Sequence, residues 1–318
     1  MKSFYSGSVL IQNYSVSDMP TYTSNKSNIV VGIGEVLWDM LPAGKRLGGA
    51  PANFAYHAAM NGCHAAVVSA VGRDELGDEI LASLESKPLE CHIARTPYPT
   101  GTVAVDLDAA GIPHYSITEN VAWDNIPFTD DLAATAKRTA AVCFGSLARR
   151  SPASRATIDK FLDTLPTEAL IVFDANLRSN FYCADDIGSC ISRCNILKLN
   201  DEELPVVADL LRLPTAGNTT SNEADAPCRR LIELYNLDTV ILTCGSAGSH
   251  VFTSSGEHSF LPTPHVEVSD TVGAGDSFTA AYVASILHGS TPAEAHAAAV
   301  RTAAYVCTRP GAIPEYQI

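Results

Sequence analysis

Two aspartates bracket a run of small residues in Asp270-Thr271-Val272-Gly273-Ala274-Gly275-Asp276-Ser277-Phe278. Good helix formers follow from Ser277 to His288, with apolar residues near helical spacing and Gly289 as a stop. Gly273-Ala274-Gly275 therefore falls at a helix N-terminus. There the first backbone N–H groups have no partner within the helix, and the helix dipole favours negative charge. Small residues let an anion approach that backbone closely. Asp276 has two readings beside such a site. Either it caps the helix, a position that favours Asp, or it takes a proton from a nucleophile while the N–H groups hold a phosphoryl group.

The stretch closely resembles the C-terminal signature of the PfkB-type, ribokinase-like sugar kinases. Far upstream, Gly48-Gly49-Ala50-Pro51-Ala52-Asn53 resembles the family's second signature. Two signatures at the right ends of a chain are much more specific than either alone, and the resemblance covers residues 29–318. It implies phosphoryl transfer from ATP to a sugar hydroxyl. That reaction needs a base, donors for the transferred oxygens, a divalent cation and exclusion of water. Matched residue by residue, Asp276 is the base, and the N–H groups of Gly273, Ala274, Gly275 and Asp276 are the donors. Asn200 and Glu203, in Lys198-Leu199-Asn200-Asp201-Glu202-Glu203, match a motif that lies near Mg²⁺, largely through water. A plain Asn helix cap with an acidic first turn is the other reading of that segment. Thr243, Gly245 and Gly248 match the nucleotide-binding turn. Near Val300 the chain departs from an Asn that many relatives carry beside the adenine. Asp270 and the carbonyl of Val272, closed by the loop near 309–312, match the position of a monovalent cation such as K⁺. A turn-stabilising Asp270 is the alternative.

The resemblance puts the sugar site at Asp39, Gly48, Gly49 and Asn53, since a carboxylate and an amide make paired hydrogen bonds to sugar hydroxyls. Arg178 either reaches the sugar or holds its own loop. Thr102–Asp108 and Ile112–Thr118 flank Asp108-Ala109-Ala110-Gly111, a hairpin signal. It corresponds to the family's lid, which spans about 98–121 together with about 41–48, and Tyr115 and Ile117 would cover the sugar. Relatives often pair such lids into homodimers. Ala50-Pro51-Ala52-Asn53, Phe144-Gly145-Ser146-Leu147-Ala148 and Asp174-Ala175-Asn176-Leu177-Arg178 resemble fructokinases. The expected enzyme therefore phosphorylates the 6-hydroxyl of D-fructose. A 2-keto-3-deoxygluconate kinase, a ribokinase and a non-catalytic sugar-binding protein on the same scaffold are the alternatives.

Bulk properties narrow the classes. A chain of 318 residues with 46% hydrophobic residues can bury a sizeable core. A formal charge of −14 without a basic cluster argues against a nucleic-acid or anionic-membrane partner. It also implies that phosphate is held by backbone N–H groups and a metal ion. No apolar run approaches the roughly 18 residues of a membrane span. Nine cysteines without a C-x-x-C pair read as reduced thiols in a cytoplasmic protein.

These residues need a scaffold. Residues 1–28 are polar, without a period, and read as a loosely held extension before a kinase domain at 29–318. Ile29–Ile33 is a buried-strand pattern; Gly32-Ile33-Gly34 lacks the third glycine of a dinucleotide fingerprint. Strands and helices alternate from 140 to 243, which implies a three-layer α/β sandwich: a mainly parallel sheet, helices on both faces, plus the small β lid. Ligands of such sheets bind at the carboxyl ends of strands, where Asp39, Ser146, Asp174, Asn200 and Thr243 are expected.

Overall fold

The computed structural model describes residues 28–41, 44–107, 113–213 and 225–316, with the backbone alone at 105–107 and 113–115. Residues 1–27 of the polar extension and the hairpin turn at 108–112 lie outside the described residues. In chain order the elements are β1 (Ile29–Ile33), β2 (Leu37–Leu41), β3 (Gly44–Gly48), α1 (Ala50–Met60), β4 (His64–Gly72), α2 (Glu75–Glu85), β5 (Glu90–Thr96), β6 (Gly101–Leu107), β7 (Pro113–Ile117) and α3 (Asp130–Ala136). There follow β8 (Thr139–Gly145), α4 (Pro152–Asp163), β9 (Leu170–Asp174), α5 (Ala184–Ile191), β10 (Ile196–Asn200), α6 (Glu203–Leu210) and α7 (Asp225–Tyr235). The chain closes with β11 (Thr239–Thr243), β12 (Ser249–Thr253), β13 (His258–Leu261), α8 (Ala274–Leu287) and α9 (Pro292–Cys307).

Among the described residues the strands form two sheets. The larger runs β13-β12-β11-β10-β9-β8-β1-β4-β5. It is parallel from β11 to β5 and antiparallel at β12 and β13. Successive side chains of a strand point to opposite faces, and the core divides accordingly. Ile29, Val31 and Ile33 of β1 join a cluster with residues of α3 to α7, while Val30 joins α1, α8 and α9 on the other face. Helices on both faces, the expected sandwich, follow from that alternation. Gly32 packs against α1, where a side chain would collide with the Pro51 carbonyl. The glycines of that strand thus serve close packing.

The smaller sheet runs β3-β2-β6-β7. Its β6–β7 pair is the expected antiparallel hairpin, and β2 is parallel to β6 and antiparallel to β3. Asp39 departs from its expected place at a strand end of the main sheet. It sits mid-strand in β2, opposite Arg46 and Val103. Several elements carry no expectation from the sequence: β5, α3, the antiparallel β12–β13 edge and α9. For α9 a signal was present, because Thr291 and Glu294 form a capping box with Pro292 in the first turn.

Candidate active site

Helix α8 begins two residues before Asp276, not after it. Gly273 is its N-cap at φ 78°, left-handed backbone that suits glycine, and a side chain there would come within 2.6 Å of the Ala312 carbonyl. Ala274, Gly275 and Asp276 form the first turn, whose N–H groups have no intrahelical acceptor. The Ala312 segment is itself fixed. Buried His57 of α1 donates from Nε2 to the Ala312 carbonyl at 2.8 Å and accepts the Tyr316 hydroxyl at Nδ1. Burial lowers its pKa to about 4, so the ring is neutral and can fill both roles.

Asp276 does not cap α8; no side chain does. Its Oδ2 instead accepts from Asn53 Nδ2 at 2.8 Å, across 223 residues of sequence. Burial first, and then the Asp174 charge, push its pKa from an ordinary 3.8 to about 6, against the pull of Asn53, Lys198 and Arg178. That is a suitable range for a base working near neutrality.

Strand register explains the groups beneath it. Lys198 of β10 lies directly opposite Asp174 of β9, and alternation turns both toward the α8 face. Lys198 Nζ donates to Asp174 Oδ1 at 3.1 Å. A side chain at Gly275 would stand 3.2 Å from that same Nζ, so the ammonium lies immediately behind the α8 turn. Asp174, Asn176 and Asp276 line one cavity together with Ala50 and Pro51 of α1.

Ahead of α1, Gly49 (φ 120°) packs on the Glu35 carbonyl, and a side chain at Gly48 would meet Asp39 Oδ2 at 2.5 Å. Burial raises the Asp39 pKa, opposed by the charge of Arg178. That arginine is exposed, on a loop with left-handed Asn176 (φ 37°) and Ser179 (φ 49°). Leu37, Val103 and Ile117 cluster on the Asp39 face of the small sheet. Tyr115 is in β7 opposite Val105, and its side chain lies outside the described residues.

The nucleotide-side residues are engaged locally. Asn200 Oδ1 accepts from the N–H groups of Glu202 and Glu203 at 2.9 and 2.7 Å, closing the turn that leads into α6. Glu203 Oε1 accepts from Leu177 N and Oε2 from Asn200 N, both at 2.9 Å. It therefore ties the loops after β9 and β10 together, and it fits a hydrated Mg²⁺ through water better than by a direct bond. Thr243 pairs in register with Asn200, and Gly245 (φ 50°) and Gly248 (φ 126°) shape the turn that follows. Val300 packs on the core beneath α9. Asp270 is also occupied. Oδ1 accepts from Val272 N at 3.1 Å; Oδ2 accepts from Gly311 N at 3.1 Å and from Arg46 of β3 at 2.9 Å. The arginine already neutralises this carboxylate, so the group fits poorly as the ligand of a further monovalent cation.

Sequence reading missed Glu35, Arg46 and Lys198 as site residues. For Lys198 the signal was a lysine inside the otherwise apolar Ile196-Leu197-Lys198-Leu199. For Glu35 it was a carboxylate directly after the Ile33-Gly34 strand end.

The sheet order, the α8 turn and the lid over it make up a ribokinase-like α/β fold. A family model described as pfkB family carbohydrate kinase matches residues 38–317, and the chain belongs to that family of phosphotransferases acting on sugar hydroxyls. It is 28% identical over 272 residues to a fructokinase of Klebsiella pneumoniae, covering 81% of this chain and 84% of that one. It is 27% identical over 288 residues to an ATP-dependent 6-phosphofructokinase of Thermoanaerobacterium thermosaccharolyticum, covering 84% of each. Among solved structures, an uncharacterized sugar kinase from Pyrococcus horikoshii in complex with ATP superposes with a TM-score of 0.75 at 25% identity, over 90% of this chain and 94% of that one.

Proposed function

We propose that this protein is a fructokinase: it transfers the γ-phosphoryl group of ATP to the 6-hydroxyl of D-fructose. The Asn53–Asp276 hydrogen bond carries the reading, since it joins an amide at the sugar side to a carboxylate at the phosphoryl hole. Asp276 takes the proton of the attacking hydroxyl. The N–H groups of Gly273 to Asp276 stabilise charge on the transferred oxygens, with Lys198 as a fixed positive charge behind Gly275. Asn200 and Glu203 would meet the water shell of a Mg²⁺ bound with ATP, which would supply neutralisation of the phosphate charge. Thr243, Gly245 and Gly248 hold the nucleotide; the ATP bound to the Pyrococcus horikoshii relative supports that donor.

Asp39, Gly48, Gly49, Asn53 and Arg178 hold the sugar, and Tyr115 covers it from the lid. A neutral acceptor suits the charges. Arg46 is paired with Asp270, and Arg178 acts on Glu35, Asp39 and Asp276 at once. Arg46 is therefore not left for a sugar acid or a sugar phosphate. Arg46 also stands in for K⁺ at Asp270. All nine cysteines are free, which supports a reducing, cytoplasmic setting, and the lid sheet is the face we assign to a homodimer.

The test is ADP release with Mg-ATP against fructose, 2-keto-3-deoxygluconate, ribose, fructose 6-phosphate and adenosine, with Asp276→Asn as control. Fructose-dependent release that disappears in the variant is expected. Preference for another acceptor would overturn the sugar assignment and keep the mechanism.

A further inference from the structure

Glu35 lies in the turn between β1 and β2 and is only 3% exposed. Its Oε2 is buried and accepts no hydrogen bond from any described group. Its carbonyl packs against Gly49, so it adjoins the Gly48-Gly49 turn of the sugar side. The charges of Arg178, on the loop after β9, and of Asp276, on α8, both reach it. Burial, its largest influence, raises its pKa to about 7.

Folded proteins leave few buried polar atoms without a partner, and an unpaired one carries a full desolvation cost. Described side chains and backbone offer Oε2 nothing, which leaves it open to a ligand hydroxyl. Arg178 and Asp276 both belong to the proposed acceptor site, and the Gly48-Gly49 turn that Glu35 adjoins belongs to it too. We infer that Glu35 is a further acceptor-site residue, whose Oε2 holds one hydroxyl of a neutral sugar. The inference rests on the proposed sugar-kinase reading and adds both a residue and a substrate class to it.

The chemistry selects a hydroxyl. A hydroxyl donates to a carboxylate and accepts from a carboxylic acid, so it satisfies Glu35 in either protonation state. An anionic acceptor would instead place a fourth negative group among Glu35, Asp39 and Asp276, with Arg178 as the cation acting on all three.

The experiment compares wild type, Glu35→Gln and Glu35→Val on whichever sugar the wild type turns over best. Glu35→Val is expected to raise the KM for sugar roughly tenfold, the scale of one lost hydrogen bond to a buried group, and to leave the KM for ATP unchanged. Glu35→Gln, which keeps a donor and an acceptor, is expected to recover most of the loss. Singly deoxygenated analogues of the same sugar then identify the hydroxyl. For one analogue the ratio between wild type and Glu35→Val should collapse to about one, because the partner is already missing. An equal penalty for every analogue, an equal rise in both KM values, or no change at all would overturn the inference. Glu35 would then merely back the Gly-Gly turn or hold a water. A preferred neutral sugar other than fructose would sink the fructose assignment alone, while an anionic preferred acceptor would sink this inference.

Discussion

In the nine-stranded sheet, β1, β8 and β10 bury side chains on both faces, with Val31, Val142 and Leu197 in one cluster and Val30, Ala141 and Ile196 in the other. In the four-stranded sheet, by contrast, Leu37 and Val103 are the buried members of a small cluster, with Leu41 and Ile117 leaning on it. Polar contacts tie that sheet to the body. Arg46 pairs with Asp270, Lys45 pairs with Glu79, and Trp38 Nε1 donates to the Leu76 carbonyl at 3.0 Å. Trp38 and Leu47 add an apolar patch against α1 and α2. The floor is held by dispersion and burial, which salt barely touches. The roof combines the buried Trp38 patch with exposed ion pairs, and those pairs are individually weak and screened by salt. The candidate site lies at the seam, with Asp276 on the floor and Asp39 on the roof.

The two halves should therefore fail differently. Phe173→Ala removes a fully buried ring that packs 5.2 Å from Phe144. It should cost about 3–5 kcal/mol of stability in denaturant titration and leave both KM values unchanged in the surviving folded protein. Next in size is Asp276→Asn, which should lose on the order of 10² or more in turnover, while calorimetry finds sugar and nucleotide still bound. Near-normal turnover would remove Asp276 as the base. In the wild type, kcat/KM for the sugar should rise as pH increases through about 6, where Asp276 of the free enzyme ionises. The stability sign runs the other way. A carboxyl with a raised pKa favours the fold in its neutral form, an advantage lost as pH rises through about 6. Asp276→Asn should therefore melt above the wild type at pH 8 and level with it at pH 4.

Smaller effects belong to the roof. Asp39→Ala should raise the KM for sugar about tenfold and spare that for ATP; an unchanged sugar KM would take Asp39 out of the site. Arg46→Gln should raise the sugar KM by roughly fivefold at most, since its ion pair is exposed, and should blunt the response of KM to added salt. Wild-type turnover should be alike in potassium and tetramethylammonium salts, whereas Arg46→Gln should gain a dependence on potassium. Strong potassium dependence in the wild type would show that Arg46 does not serve Asp270 as its cation.

Local signals made the floor readable from the sequence. Apolar runs, terminal glycines and the alternation of strands and helices gave β1, β4, β8 to β11 and most of their helices within a few residues. Asp276 and its glycines stand out because small residues at a helix N-terminus suit an anion, whereas Asn53 and Gly48-Gly49 stand out through the resemblance to a family signature. Register was not visible. Nothing local says that Lys198 faces Asp174, or that Arg46 stands beside Asp39 and reaches Asp270, because those meetings depend on which strands are neighbours and in what phase. β5 was missed because Glu90-Cys91-His92-Ile93-Ala94-Arg95-Thr96 is a half-exposed edge strand with weak alternation. Asp39 was misplaced for a related reason. Its strand reads like any other, and only the pairing to β3 and β6 assigns it to the second sheet.

The hydrogen bond between Asn53 and Asp276 also has a meaning in time. A ribosome delivers Asn53 early and Asp276 late, after every strand of both sheets has been made. During synthesis the Gly48-Gly49 turn can form on β1, β4 and α1, but Asp276 and the Gly273 turn do not yet exist. The His57 contacts to Ala312 and Tyr316 extend the same order to the last described residues of the chain. Chains cut short during translation, or clipped near α8 afterwards, would therefore keep the Gly48-Gly49 turn yet lose its contact with Asp276 and, on the proposed reading, be silent as phosphotransferases. Activity in this protein consequently reports that the chain has been finished as well as folded.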